Sequence, residues 1–109
     1  MDNTWDNPQS EALFEAILAL KNSNEAKLFF RDLLTDKEII EFATRWQVAQ
    51  MLAQNVPYSQ IEEETGFSST TVARVSKWLQ SGVGGYKLML DRQHHSHSAE
   101  NSSGRKRMA

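Results

Sequence analysis

The segment Tyr58-Ser59-Gln60-Ile61-Glu62-Glu63-Glu64-Thr65-Gly66-Phe67-Ser68-Ser69-Thr70-Thr71-Val72-Ala73-Arg74-Val75 decides the fold. Ile61 before the glycine, and Val72 and Val75 after it, stand at helical spacing with polar residues between them, as two short amphipathic helices require. Ser59 can cap the first helix, with Glu62 three residues on completing a reciprocal box. Gly66 falls where that helix ends, and a C-terminal cap often needs the left-handed backbone that glycine tolerates. Phe67 is placed to plug the corner and Ser68 to cap the second helix. Val72, with Val75 or Ala73, turns back to the core. The segment therefore predicts a helix-turn-helix over residues 58–79, with helices at 59–65 and 69–80.

The outward start of the second helix carries Ser69, Thr70 and Thr71, then Arg74 and Lys77. Small hydroxyls admit close approach to a DNA groove, and the cations suit phosphates. The helix N-terminus adds its partial positive charge. Ser59 and Gln60 at the start of the supporting helix, with Ser68 and Ala73, complete the candidate DNA-facing set. The Glu62-Glu63-Glu64 run reads as a solvated face.

The rest of the chain also reads as helical. Asn7 caps a first helix with Pro8 at its first position, where the missing N–H costs nothing. This helix carries Leu13, Phe14, Ile17, Leu18 and Leu20, and Lys21-Asn22-Ser23-Asn24 breaks it. A short helix holds Leu28, Phe29, Leu33 and Leu34. Thr35-Asp36-Lys37-Glu38 is a capping box that opens a long helix through Trp46 to about Gln54, ended by Asn55-Val56-Pro57. Ser81-Gly82-Val83-Gly84-Gly85 is a connector, and Tyr86 to Arg92 a last amphipathic segment. Residues 1–92 thus form one all-helical domain. Residues 93–109, rich in His, Ser, Asn and basic groups, lack the apolar content for a core and read as a disordered tail.

Composition bounds the function. The 109 residues carry a net charge of −2 and no cysteine, which excludes disulfide frameworks and thiolate metal sites. The charge is uneven: residues 1–65 hold five Lys/Arg against twelve Asp/Glu, and residues 66–109 seven against two. A basic back half suits a polyanion in spite of the acidic total. The acidic, polar start is unlike a signal peptide, and no apolar run reaches the roughly 18 residues of a membrane span, so a cytoplasmic protein is expected. His94-His95-Ser96-His97 has neither Cys nor paired carboxylate, and reads as part of the solvated tail rather than a metal site. Arg105-Lys106-Arg107 reads likewise. No catalytic constellation or cofactor motif is present, so neither an enzyme nor a cofactor is expected.

Leu34-Thr35-Asp36-Lys37-Glu38, the Thr44-Arg45 pair, the helix-turn-helix and Gly84-Gly85-Tyr86-Lys87-Leu88 together resemble the tryptophan-repressor-like family, in its branch of small YerC/YecD-type proteins. The resemblance runs from Leu13 to Arg92. It implies an all-α, six-helix, intertwined homodimer whose two reading helices lie about one DNA turn apart. It also implies a ligand pocket, in which Thr35, Arg45, Thr71 and Arg74 match the threonines and arginines around a bound tryptophan. Val75 stands where the family leaves space with a glycine, and Trp78 where a serine meets the ligand's amino group. These two departures argue against tryptophan and leave a small-molecule corepressor open. The expected function is a sequence-specific DNA-binding transcriptional regulator, most simply a repressor. The alternative is a protein-interaction module of the same fold that has lost DNA binding.

Overall fold

The structure, a computed structural model, describes residues 4–94. It is all-α: α1 spans Pro8–Leu18, α2 Ser23–Leu33, α3 Asp36–Ala53, α4 Tyr58–Thr65 and α5 Ser69–Ser81, and α6 is helical over 85–94. There is no strand among the described residues. The chain divides into two compact units, one ending at Glu41 and the other beginning at Phe42, so the boundary falls inside α3.

In the first unit every helix start is fixed by a side chain. The Asn7 side chain accepts from the Ser10 backbone N–H at 2.9 Å, and the Ser10 hydroxyl accepts from the Asn7 N–H at 3.0 Å, with Pro8 in the first turn. α1 stops at Leu18, short of Leu20. The break before α2 is narrower than the composition of 21–24 suggests, because the Asn22 side chain accepts from the Glu25 N–H at 2.9 Å. A good cap overrides the weak helix propensity of Ser23 and Asn24, which become the first turn. Thr35 and Glu38 form the anticipated box: the Thr35 N–H donates to Glu38 at 2.9 Å, and the Glu38 N–H donates to the Thr35 hydroxyl at 3.2 Å. No residue of α1 or α2 is buried. Leu18 is 83% exposed, Leu28 63% and Ile40 65%.

The second unit has the core. Val48 and Ala49 of α3, Ile61 of α4, and Val72 and Val75 of α5 are fully buried, with Trp46, Met51, Leu52, Val56, Phe67 and Tyr86 packed around them. Trp46 stacks on Tyr86 with ring centroids 6.3 Å apart, which ties α3 to α6. α3 ends in a left-handed Asn55, φ 62°. The Val56 N–H returns to the Met51 carbonyl and the Asn55 N–H to that of Leu52, the bond pair of a Schellman cap.

Two expectations need correction. Ser59 does not cap α4. Pro57 occupies that position in extended conformation, φ −62° and ψ 147°, with no side-chain cap, and its carbonyl accepts from the Gln60 and Ile61 N–H groups. Proline presets this backbone, so the helix begins one residue early and Ser59 lies inside the first turn. Gln93 and His94 continue α6 rather than starting a tail; the rest of the 93–109 stretch, with His95, His97 and Arg105-Lys106-Arg107, lies outside the described residues.

Gly66 caps α4 at φ 79°, and a Cβ added there would meet nothing within 4 Å. The penalty for a side chain is thus purely conformational. Gly66→Ala is expected to lower the unfolding free energy by about 1–2 kcal/mol, measured by urea denaturation, and Gly66→Asn by less, because asparagine tolerates this region.

Candidate nucleic-acid interface

The corner between α4 and α5 is pinned by short-range bonds. The Thr65 hydroxyl donates to the Ile61 carbonyl at 2.7 Å and accepts from the Phe67 N–H at 3.2 Å. That holds Phe67 half-buried against the core. The sequence pattern does not single out Thr65; the signal was a hydroxyl one residue before the glycine. Ser68 then caps α5 as anticipated, accepting from the Thr71 N–H at 3.2 Å, and its hydroxyl lies 3.0 Å from that of Thr71.

With Val72, Val75 and Ser76 buried, the helical period sends Ser69, Thr70, Ala73, Arg74 and Lys77 outward, and all five are exposed. Of the alternatives for the second core contact, Val75 is the one taken and Ala73 is on the surface. Thr71 is half-buried on the flank. On α4, Ser59 and Gln60 are exposed, but the Gln60 amide donates to Glu64 at 2.7 Å. Tyr58, not among the sequence candidates, opens α4 beside Ser59 and is 42% exposed.

The residues matched to a ligand pocket are distributed as follows. Thr35 belongs to the first unit, where its hydroxyl and N–H serve the capping box with Glu38. Arg45 is half-buried on α3, its guanidinium 5.7 Å from the centroid of the Phe42 ring. Thr71, Arg74 and Trp78 share one flank of α5 at helical spacing, and Trp78 is 42% exposed. Val75 lies in the core, fully buried. Among the described residues no group of three His, Cys, Asp or Glu is placed to hold a metal ion, and no helix is long and apolar enough to cross a membrane.

The chain matches the Trp repressor protein family over residues 8–94. The protein YerC of Bacillus subtilis strain 168, itself uncharacterised, is 44% identical over 82 residues, covering 75% of this chain and 79% of YerC. The crystal structure of a TrpR-like protein from Eubacterium eligens matches with a TM-score of 0.81 at 39% identity, covering 85% of this chain and 96% of that one. A candidate Trp repressor from Staphylococcus aureus matches with a TM-score of 0.78 at 41% identity, covering 83% and 90%.

The capping box at Thr35 has a pH signature. The Thr35 backbone N–H, and secondarily its hydroxyl, hold the Glu38 carboxyl below its ordinary value. A carboxyl depressed in the folded state stabilises the fold above its unfolded pKa, and that contribution disappears as pH falls through the folded value. The melting-temperature advantage of the native chain over Glu38→Gln should therefore shrink between about pH 6 and about pH 3; calorimetry across that range checks it.

Proposed function

The chain belongs to the Trp repressor protein family, and from this we propose that it is a DNA-binding transcriptional regulator, most simply a repressor, that acts as a homodimer through α4 and α5. One observation carries the reading: a capped helix-turn-helix on a fully buried core presents Ser69, Thr70, Ala73, Arg74 and Lys77 together on its outer side. The first turn of α5 enters the major groove of double-stranded DNA. Ser59, Gln60 and Ser68 approach the sugar-phosphate backbone, and Arg74 and Lys77 neutralise phosphates. Nothing in this scheme is catalytic, and it operates in the cytoplasm.

The dimer is supported by what the first unit leaves uncovered. Helices with Phe14 42%, Leu28 63% and Leu33 45% exposed and no buried residue of their own gain stability only by burial against another surface. In the second unit an open groove of about 1310 Å³ runs between the end of α3 (Gln50, Ala53, Gln54) and α6 (Lys87, Leu88, Asp91). A second copy of the chain, intertwined as the family resemblance implies, covers such surfaces.

A second reading, an interaction module without DNA binding, is favoured by the exposed Glu63 and Glu64 and the net charge of −2. Salt dependence separates the two, because phosphate contacts release counterions and surface recognition of a protein does not. Lys77→Ala is expected to weaken binding to all duplexes alike and to lower the slope of log affinity against log salt by about one. An unchanged slope contradicts the docking scheme.

Tryptophan is not the ligand of this chain. Val75 stands where the family resemblance leaves space for it, stiff at its branched carbon and packed in the core. Trp78 offers the ligand's ammonium a donor and no acceptor. Isothermal titration with tryptophan should show no heat of binding and no change in DNA affinity. Micromolar binding that tightens the DNA complex would overturn this.

A further inference from the structure

We propose that this protein selects its DNA sites through the C5-methyl groups of thymine in the major groove, read by the Thr70 methyl and the Ala73 Cβ. The inference rests on the DNA-binding reading above and names the class of duplex that reading leaves open.

The argument is one of side-chain chemistry on a defined helix face. Adenine is read by paired amide groups, guanine by a guanidinium or ammonium, cytosine by a carboxylate acceptor and thymine by apolar contact with its methyl group. α5 contains no Asp or Glu, so it has no cytosine reader. Its single amide, Gln80, stands in the last turns and donates to the Ser76 hydroxyl at 3.1 Å. The amide on α4, Gln60, is bonded to Glu64. No adenine reader therefore projects from the part of the unit that enters a groove. The Thr71 hydroxyl is paired with that of Ser68.

What the first two turns of α5 present outward is Ser69, Thr70 and Ala73, all exposed. Hydroxyls donate to or accept from either base of a pair and discriminate little. The methyl groups of Thr70 and Ala73 are separated by three residues, so they fall on one strip of the helix surface. Thymine alone offers a methyl partner in the groove. Arg74 is the group that would select guanine instead. Lys77 could do the same. Each stands four residues after Thr70 or Ala73, so both lie on the same outward face and are exposed, and in the docking scheme above we assign both to phosphate.

The test starts from a duplex that the intact protein enriches from a random library. Each thymine is replaced in turn by uracil, which keeps the Watson–Crick pair and deletes only the methyl. At one or two positions per half-site the swap should weaken binding about fourfold, the effect of one buried methyl. In Thr70→Ser, which keeps the hydroxyl and loses the methyl, the swap at one of those positions should have almost no further effect. Ala73→Gly should do the same at the other. Uracil swaps that are silent everywhere overturn the inference, as does a loss that persists undiminished in both variants. A selected half-site whose only sensitive base is a guanine, with sensitivity lost in Arg74→Ala, overturns it too. Selection that enriches no duplex at all sinks the regulator reading and this inference with it, whereas an enriched duplex indifferent to uracil sinks the inference alone.

Discussion

Five side chains from three helices, Val48, Ala49, Ile61, Val72 and Val75, are sealed from solvent, and the outer surface of the helix-turn-helix depends on them. Burying each of the valines and Ile61 stabilises by about 1.5–3 kcal/mol, so the cluster holds α3, α4 and α5 together. It also sets orientation. Once Val72 and Val75 point inward, the 3.6-residue period leaves no choice about Thr70, Ala73 and Lys77, which must point out. The candidate surface on α5 is the complement of the core, and a change at Val75 would rotate or loosen every candidate contact on it.

The same residue links the core to ligand control. Val75, which the resemblance matches to a glycine, is fully buried in the core. The half-exposed Trp78 and the exposed Arg74 remain on the adjoining flank. The first unit presents the opposite balance. Its helix starts are well capped by Asn7, Asn22 and Thr35, yet its apolar side chains are largely in water. Caps define where helices begin, but they supply no substitute for burial. The first unit is thus a set of well-formed helices with no buried residue in α1 or α2.

The helix-turn-helix was legible in the sequence because each of its signals is local. Gly66 needs only its own backbone, Ser68 reaches an N–H three residues away, and Val72 and Val75 follow from period alone. The exposed candidates on α5 followed in turn. Ser59 misled because two residues competed for one cap. Pro57 already had the extended backbone, and a hydroxyl two residues late cannot displace it. The Asn22 cap was obscured by a polar cluster whose composition suggests a loop, though one side-chain bond is enough to start a helix there. The Trp46–Tyr86 stack and the Arg45–Phe42 contact were out of reach for different reasons. The first joins residues forty positions apart, which no window of periodicity connects, and the second depends on the rotamer of a long side chain.

In the function proposed above, α4 and α5 form a reading head for duplex DNA, used in pairs. It is tested most directly by selecting bound sequences from a random duplex library with the purified full chain and measuring the affinity of the enriched pool against salt. The expected result is sequences with two-fold-related half-sites about one helical turn apart, bound by two chains with an affinity that falls steeply as salt rises. A library that emerges unenriched, with association insensitive to salt, would contradict it.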